Sequence, residues 1–122
     1  TTGIENIEVR MIVNASSSRF RDRLIMPGHP PGWNDVVDAA FDLLLDLKIN
    51  QTAWWEASKV MGVNSAAVCV MIIDQKAQDP STGLRNPGGY LRAMTKRAKE
   101  GELNLHGSVF GLLKKDGEQH DA

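Results

Sequence analysis

Arg92, Lys96 and Lys99 recur at i, i+4 and i+7 in one helical stretch, with Arg97 beside Tyr90 and Arg85 a short way upstream. Cations at that spacing line one side of a helix. The chemistry open to them is the neutralisation of phosphates along a nucleic-acid backbone. Lys96, Arg97 and Lys99 also have a structural reason to exist, because positive charge in a last helical turn offsets the partial negative charge gathered there. The patch therefore reads either as a solvated face or as a functional surface. Leu91, Met94 and Ala98 supply the apolar side of the same stretch, with Tyr90 at its edge.

Catalytic chemistry has poorer footing. A catalytic site needs a nucleophile, a proton carrier and an orienting group that converge. The three histidines are scattered: His29 in a proline-rich stretch, His106 near a helix start and His120 close to the end of the chain. The one cysteine, Cys69, lies inside the apolar run 66–73, where it reads as a buried core thiol; it has no internal disulfide partner, which fits a reducing compartment. One cysteine supplies no zinc spacing, and no glycine-rich loop is followed by Lys and Ser or Thr. Gly88 and Gly89 lack the preceding strand that a dinucleotide fingerprint requires. Asp35, Asp38, Asp42 and Asp46 share one helical face at 3, 4, 4 spacing. A single exposed stripe does not surround a cation, so these read as a solvated face that would repel nucleic acid. The expectation is a chain that is not an enzyme, with no cofactor, no metal and no small-molecule substrate.

With 122 residues, 14 Lys and Arg against 15 Asp and Glu, and a net charge of -1, the chain has the size of one domain and no overall bias toward anionic partners. Any nucleic-acid contact must come from local charge. No apolar stretch approaches the roughly 18 residues of a membrane span, and the first residues lack a signal pattern. A cytoplasmic location with no membrane contact is expected, and the start at Thr1 is expected of a fragment of a longer protein.

The elements that must position these residues read as all-α, in a single compact bundle of about five to six helices spanning 1–122. Residues 4–14 fit a helical face through Ile4, Ile7 and Met11 but also alternate as a strand does; a helix is assigned. Residues 15–32 read as a loop, rich in Ser, Pro and Gly. Its Arg19, Arg21 and Arg23 are either solvated or a phosphate-contacting arm. Residues 33–48 form the clearest helix, with Val36, Ala40, Leu43, Leu44 and Leu47 on one face. Asn50 caps a helix over 51–61 that Gly62 closes in the left-handed manner, and Asn64 caps another over 65–78. In the first of these, Ala53, Trp54, Ala57, Val60 and Met61 face inward and Trp55 points outward, roughly 100° round from Trp54. Such a tryptophan either covers a neighbouring loop or anchors a partner. The pair resembles a helix-turn-helix in outline, yet 66–73 offers no polar side chain to a major groove and reads as a core helix instead. Helices over 87–100 and 105–115 follow, and 116–122 is expected to be a flexible tail.

Asn86, Pro87, Gly88, Gly89, Tyr90, Leu91 and Arg92 form the most specific segment. Asn86 accepts from free first-turn amides, and Pro87 at the first helical position forfeits no bond. Two glycines in that turn cost about 1 kcal/mol each, which implies that something approaches the backbone closely: a neighbouring helix, or a phosphate at the helix N-terminus. With Gly101, Glu102 and Leu103, this segment resembles the C-terminal domain of RepC, the replication initiator of repABC-type plasmids. The resemblance extends back through Trp33, Asn34, Asp35, Ala39 and Ala40, then Leu47, Lys48 and Ile49. It continues through Ala53, Trp54, Glu56, Ala57, Met61 and Gly62 to Ala66 and Ala67. The chain departs from the family at Leu103, where Phe is usual, and at Lys48, where a small residue is usual.

The resemblance implies a non-catalytic domain serving initiation at a plasmid origin, in a family whose full-length members carry an N-terminal winged-helix DNA-binding domain absent from this sequence. Two mechanisms are expected of it. In the first, Trp55 and the surface near Tyr90 bind host replication proteins or a second copy of the initiator. In the second, Arg85, Arg92, Lys96, Arg97 and Lys99 add a sequence-tolerant contact to origin DNA.

Overall fold

The computed structural model describes residues 2–120, with side chains through 114, and among these residues it is all-α. Seven α-helices follow one another: α1 (Val9–Ala15), α2 (Ser18–Leu24), α3 (Trp33–Leu43), α4 (Gln51–Met61), α5 (Val63–Ala77), α6 (Pro87–Lys99) and α7 (Leu105–His120). Short 3-10 turns at Ile4–Asn6 and Pro80–Thr82 complete the order. The helix count exceeds the expected five to six by the one helix not read from the sequence, α2. No helix among the described residues is long and apolar enough to cross a membrane.

α5 is the axis of the fold. Every residue from Ser65 to Asp74 is buried, and α3, α4, α6 and α7 all pack against it. A helix apolar on nearly all sides is stable only when surrounded, which is why this one sits at the centre and the others carry amphipathic faces around it. The helix-turn-helix outline of α4 and α5 is thus a core hairpin. α4 lies along α6, α2 along α3, and α1 along α7. One apolar cluster runs through all seven helices, from Ile7 to Val109.

Four corrections to the sequence reading have local causes. The stretch 15–32 is not loop throughout, because α2 occupies Ser18–Leu24. The Ser17 hydroxyl accepts from the Phe20 amide at 3.3 Å, and Phe20 and Leu24, one turn apart, are both buried. The helix assigned to 4–14 is broken at Ile7 and Glu8, where the backbone is extended and Ile7 enters the core. α3 stops at Leu43 instead of continuing to 48. Its exit is a Schellman turn: the Ile49 amide donates to the Leu44 carbonyl and the Lys48 amide to that of Leu45, with Leu44 and Ile49 both buried. Finally, Asn64 does not cap α5, which already begins at Val63. Gly62 ends α4 and starts α5 at φ 89°, ψ 152°, a conformation essentially restricted to glycine and not the left-handed helical one expected.

The other ends follow the sequence reading. Asn50 Oδ1 accepts from the Ala53 amide, and Asn104 Oδ1 from that of Gly107, both at 2.9 Å. At the start of α3 the Gly32 amide donates to Asp35 Oδ2 at 2.8 Å, with His29 Nε2 3.4 Å away. That amide first, and His29 second, hold the Asp35 carboxyl below its ordinary value of 3.8. The contact therefore supports α3 at neutral pH and is lost as the solution is acidified through the carboxylate range. The tail expected at 116–122 overlaps the last turns of α7, and residues 121 and 122 lie outside the described residues.

Candidate functional site

α6 is held at its start by its own first turn. Asn86 Oδ1 accepts from the Gly89 amide at 2.9 Å, and Pro87 occupies the first helical position. Gly88 is buried, and a methyl group there would meet the Lys48 carbonyl at 3.8 Å and Ile49 Cα at 4.0 Å. The neighbour of Gly88 is thus the backbone that joins α3 to α4, at ordinary van der Waals distance and not in the close approach inferred from the glycine pair. Gly89 has a different reason: a Cβ at this position would lie 2.8 Å from Asn86 Nδ2, so a side chain would dislodge the cap. Lys48, which makes the other side of this contact, is itself in the left-handed region at φ 58°. Gly101 holds the equivalent place at the end of α6, with φ 72° and the same pair of turn hydrogen bonds. Glycine at 48, having no Cβ, would relieve the strain that Lys48 bears.

Along its length α6 presents three faces. Leu91, Met94 and Thr95 are buried against the core. Arg92, Lys96 and Lys99, with Thr95 beneath them, face α4 across a groove of about 250 Å³ whose other wall is Ala53 and Glu56. Arg85 and Tyr90 lie on another side, lining a shallow hollow with Lys76, Thr82 and Leu84. Arg97 is exposed and borders neither space. The five cations singled out from the sequence therefore divide, and three of them come together.

Within that group the charges are nearly free. Lys99 Nζ lies 3.1 Å from Glu56 Oε1, both half-exposed, whereas Arg92 and Lys96 make no ion pair or side-chain hydrogen bond among the described residues. Trp55 precedes Glu56 on α4 and is 61% exposed, while Trp54 is 2% exposed and takes Phe41 against its ring edge at 6.0 Å between centroids. The outward direction assigned to Trp55 holds. Tyr90 is only half-buried and sits in the Arg85 hollow, away from Trp55.

The three arginines of α2 behave otherwise: each is bonded to other groups of the protein. Arg19 pairs with Asp74, its Nε and Nη2 at 2.7 and 2.5 Å from Oδ1, and Ser17 donates to the other carboxylate oxygen. Arg21 donates to the carbonyls of Val13 and Ser16, at 3.0 and 2.9 Å. Arg23 reaches Asp42 at 2.6 Å, comes within 4.0 Å of Asp46, and donates to the Arg19 carbonyl. The acidic face of α3 is accordingly not simply solvated, since Asp35 caps the helix and Asp42 and Asp46 receive Arg23. Asp74 was missed in the sequence although it carried a signal: a lone carboxylate closing the apolar run of α5, completely buried, requires a partner.

Among the described residues no three His, Cys, Asp or Glu side chains are placed to hold a metal ion. Burial pushes the Cys69 thiol up to about 12, and its Sγ rests 3.5 Å from Met61 Sδ. A thiol so placed stays protonated and unreactive in the native protein.

Comparison with known proteins bears on the chain as a whole. Residues 9–115 match the family described as "Replication protein C C-terminal region". A protein of Rhizobium rhizogenes, provisionally named replication protein C, is 31% identical over 91 residues, covering 75% of this chain and 22% of that protein. A second with the same provisional name, from Sinorhizobium fredii, is 33% identical over 84 residues, covering 68% of this chain and 20% of that protein. The chain thus spans about a fifth of the length of these relatives. No solved structure matches it. With seven helices falling almost wholly inside the matched span, the chain belongs to the replication protein C C-terminal region family.

Proposed function

We propose that this chain is a single, non-catalytic helical domain of a plasmid replication initiator, working in the cytoplasm and adding a sequence-tolerant contact to origin DNA through Arg92, Lys96 and Lys99. One observation carries the reading: these cations share one groove and two of them have no anionic partner among the described residues, whereas all three arginines of α2 are bonded to other groups of the protein. Unpaired cations aligned on one surface are what a phosphate backbone recruits. The net charge of the whole chain is -1, so attraction to DNA has to be local to this groove.

Salt decides it. Binding of the 122-residue chain to duplex origin DNA is expected to weaken as salt rises, with a logarithmic slope of about 0.9 for each phosphate neutralised, and Lys96→Ala is expected to flatten that slope. Absence of binding at low salt overturns the reading.

A second reading has its own support in the exposure of Trp55. Tryptophan is over-represented among the anchors of protein interfaces. In this reading Trp55, with Tyr90 as a secondary contact, docks host replication proteins or another copy of the initiator. Trp55→Ala then weakens that association, measured with the purified partner, and leaves the melting temperature unchanged.

A further inference from the structure

The α4–α6 face holds more than cations. Trp55 projects from the outer side of α4, and Lys59 follows it one turn later on the same face. Glu56 sits at the border between that face and the groove, where it meets Lys99. α4 and α6 run side by side in the same direction: Gly88 adjoins the backbone just before α4, and Ala98 and Gly101 share a pocket with Val60 and Met61 at the far end. An exposed indole and Lys59 therefore lie on the outer side of α4, past Glu56 from the groove that holds the row Arg92, Lys96, Lys99, which extends about 10 Å at the helical rise.

We infer that the nucleic acid taken by this face is single-stranded, its backbone following Arg92, Lys96 and Lys99 while a base stacks on Trp55. The inference rests on the DNA reading above and names its substrate class. A duplex keeps its base faces inside the stack and offers an exposed indole only sugar and phosphate. A single strand offers an aromatic face to the indole and phosphates to the cations at once, the combination that sequence-tolerant single-strand binders use. The row of cations is also short. Three charges over about 10 Å match a few nucleotides of a flexible strand better than the two rigid backbones of a duplex. Glu56 lies between the indole and the cation row and offsets Lys99, so Arg92 and Lys96 supply most of the positive charge that the strand meets.

The experiment titrates the 122-residue chain with oligothymidylate and, separately, with a mixed-sequence duplex of equal length, following tryptophan emission and anisotropy of a labelled strand as salt is raised. Oligothymidylate is expected to bind about tenfold more tightly than the duplex and to quench emission. Trp55→Ala is expected to lose about tenfold in affinity for the single strand, the contribution of one stacked base, with its salt slope unchanged. Trp55→Phe keeps a stacking ring, so it should retain most of the affinity while removing the quench, because Trp33 is only partly exposed and Trp54 is buried. If Trp55→Ala does not fold, Trp55→Phe alone decides through the quench. Equal or tighter duplex binding, with emission unmoved and Trp55→Ala neutral, overturns the single-strand inference while the phosphate contact stands. Failure of both nucleic acids to bind at low salt overturns both, and assigns Trp55 to a protein partner.

Discussion

Two arginine- and lysine-rich segments of similar charge density, one in α2 and one in α6, have opposite fates in the folded protein. Arg19, Arg21 and Arg23 are turned to carboxylates and carbonyls of the protein itself, whereas Arg92 and Lys96 line a groove and make no ion pair among the described residues. Both segments intersperse cations with apolar residues, α2 with Asp22 as well, and both are helical. What separates them is what each lies against. α2 is folded down beside Asp74 of the central helix, Asp42 of α3 and Asp46 in the turn after it, so its charges are consumed in holding a short helix to the core. α6 buries a different face and leaves its cations at the rim. Local charge is therefore a poor indicator of a binding surface until its internal partners are known.

The largest effect expected from this contrast is on Arg19. Arg19→Met removes the cation facing a carboxylate that is completely buried, and about 3 kcal/mol of stability should be lost in urea unfolding, because the remaining charge has only Ser17 for company. Its affinity for DNA should stay as it was. If instead stability holds and DNA binding falls, the distinction between the two segments collapses. Arg21→Ala comes next, since it strips charged donors from two backbone carbonyls at the end of α1; a loss of about 1.5 kcal/mol is expected by the same measurement. Arg23→Ala should cost about 0.5 kcal/mol, as its carboxylate partners are more than half exposed to solvent. That small loss should shrink further in high salt. Smallest of all on stability is Lys96→Ala, expected within about 0.5 kcal/mol of the parent. It is the one substitution of the four expected to lower the salt slope of DNA binding, by about 0.7 to 0.9 according to whether the strand is single or duplex.

Much of this architecture was legible beforehand. α4 begins and ends where Asn50 and Gly62 place it, α6 starts at Pro87 under the Asn86 cap, and Trp55 points outward as the helical angle demands. α2 was also within reach, because Ser17 precedes Phe20 and Leu24 at helical spacing, but the surrounding proline, glycine and serine gave the segment the appearance of a loop. The exit of α3 was less accessible. Its apolar periodicity continues through Leu47, and only the positive φ of Lys48 reveals that the chain has already turned. Within the candidate site, the grouping of Arg92, Lys96 and Lys99 follows from helix geometry alone, whereas their separation from Arg85 and Tyr90 depends on which neighbour lies against each side of α6.

The sequence by itself determined the helices, their caps and the direction of each side chain around its own axis, because those depend on hydrogen bonds and angles within one or two turns. The packed structure alone decided which charges would be spent and which kept free. Arg19 and Asp74 stand 55 positions apart in the chain and meet only because α2 folds onto the central helix, while among the described residues Lys96 pairs with no acid. A pairing of that kind is set by the three-dimensional arrangement of helices, and no local periodicity encodes it.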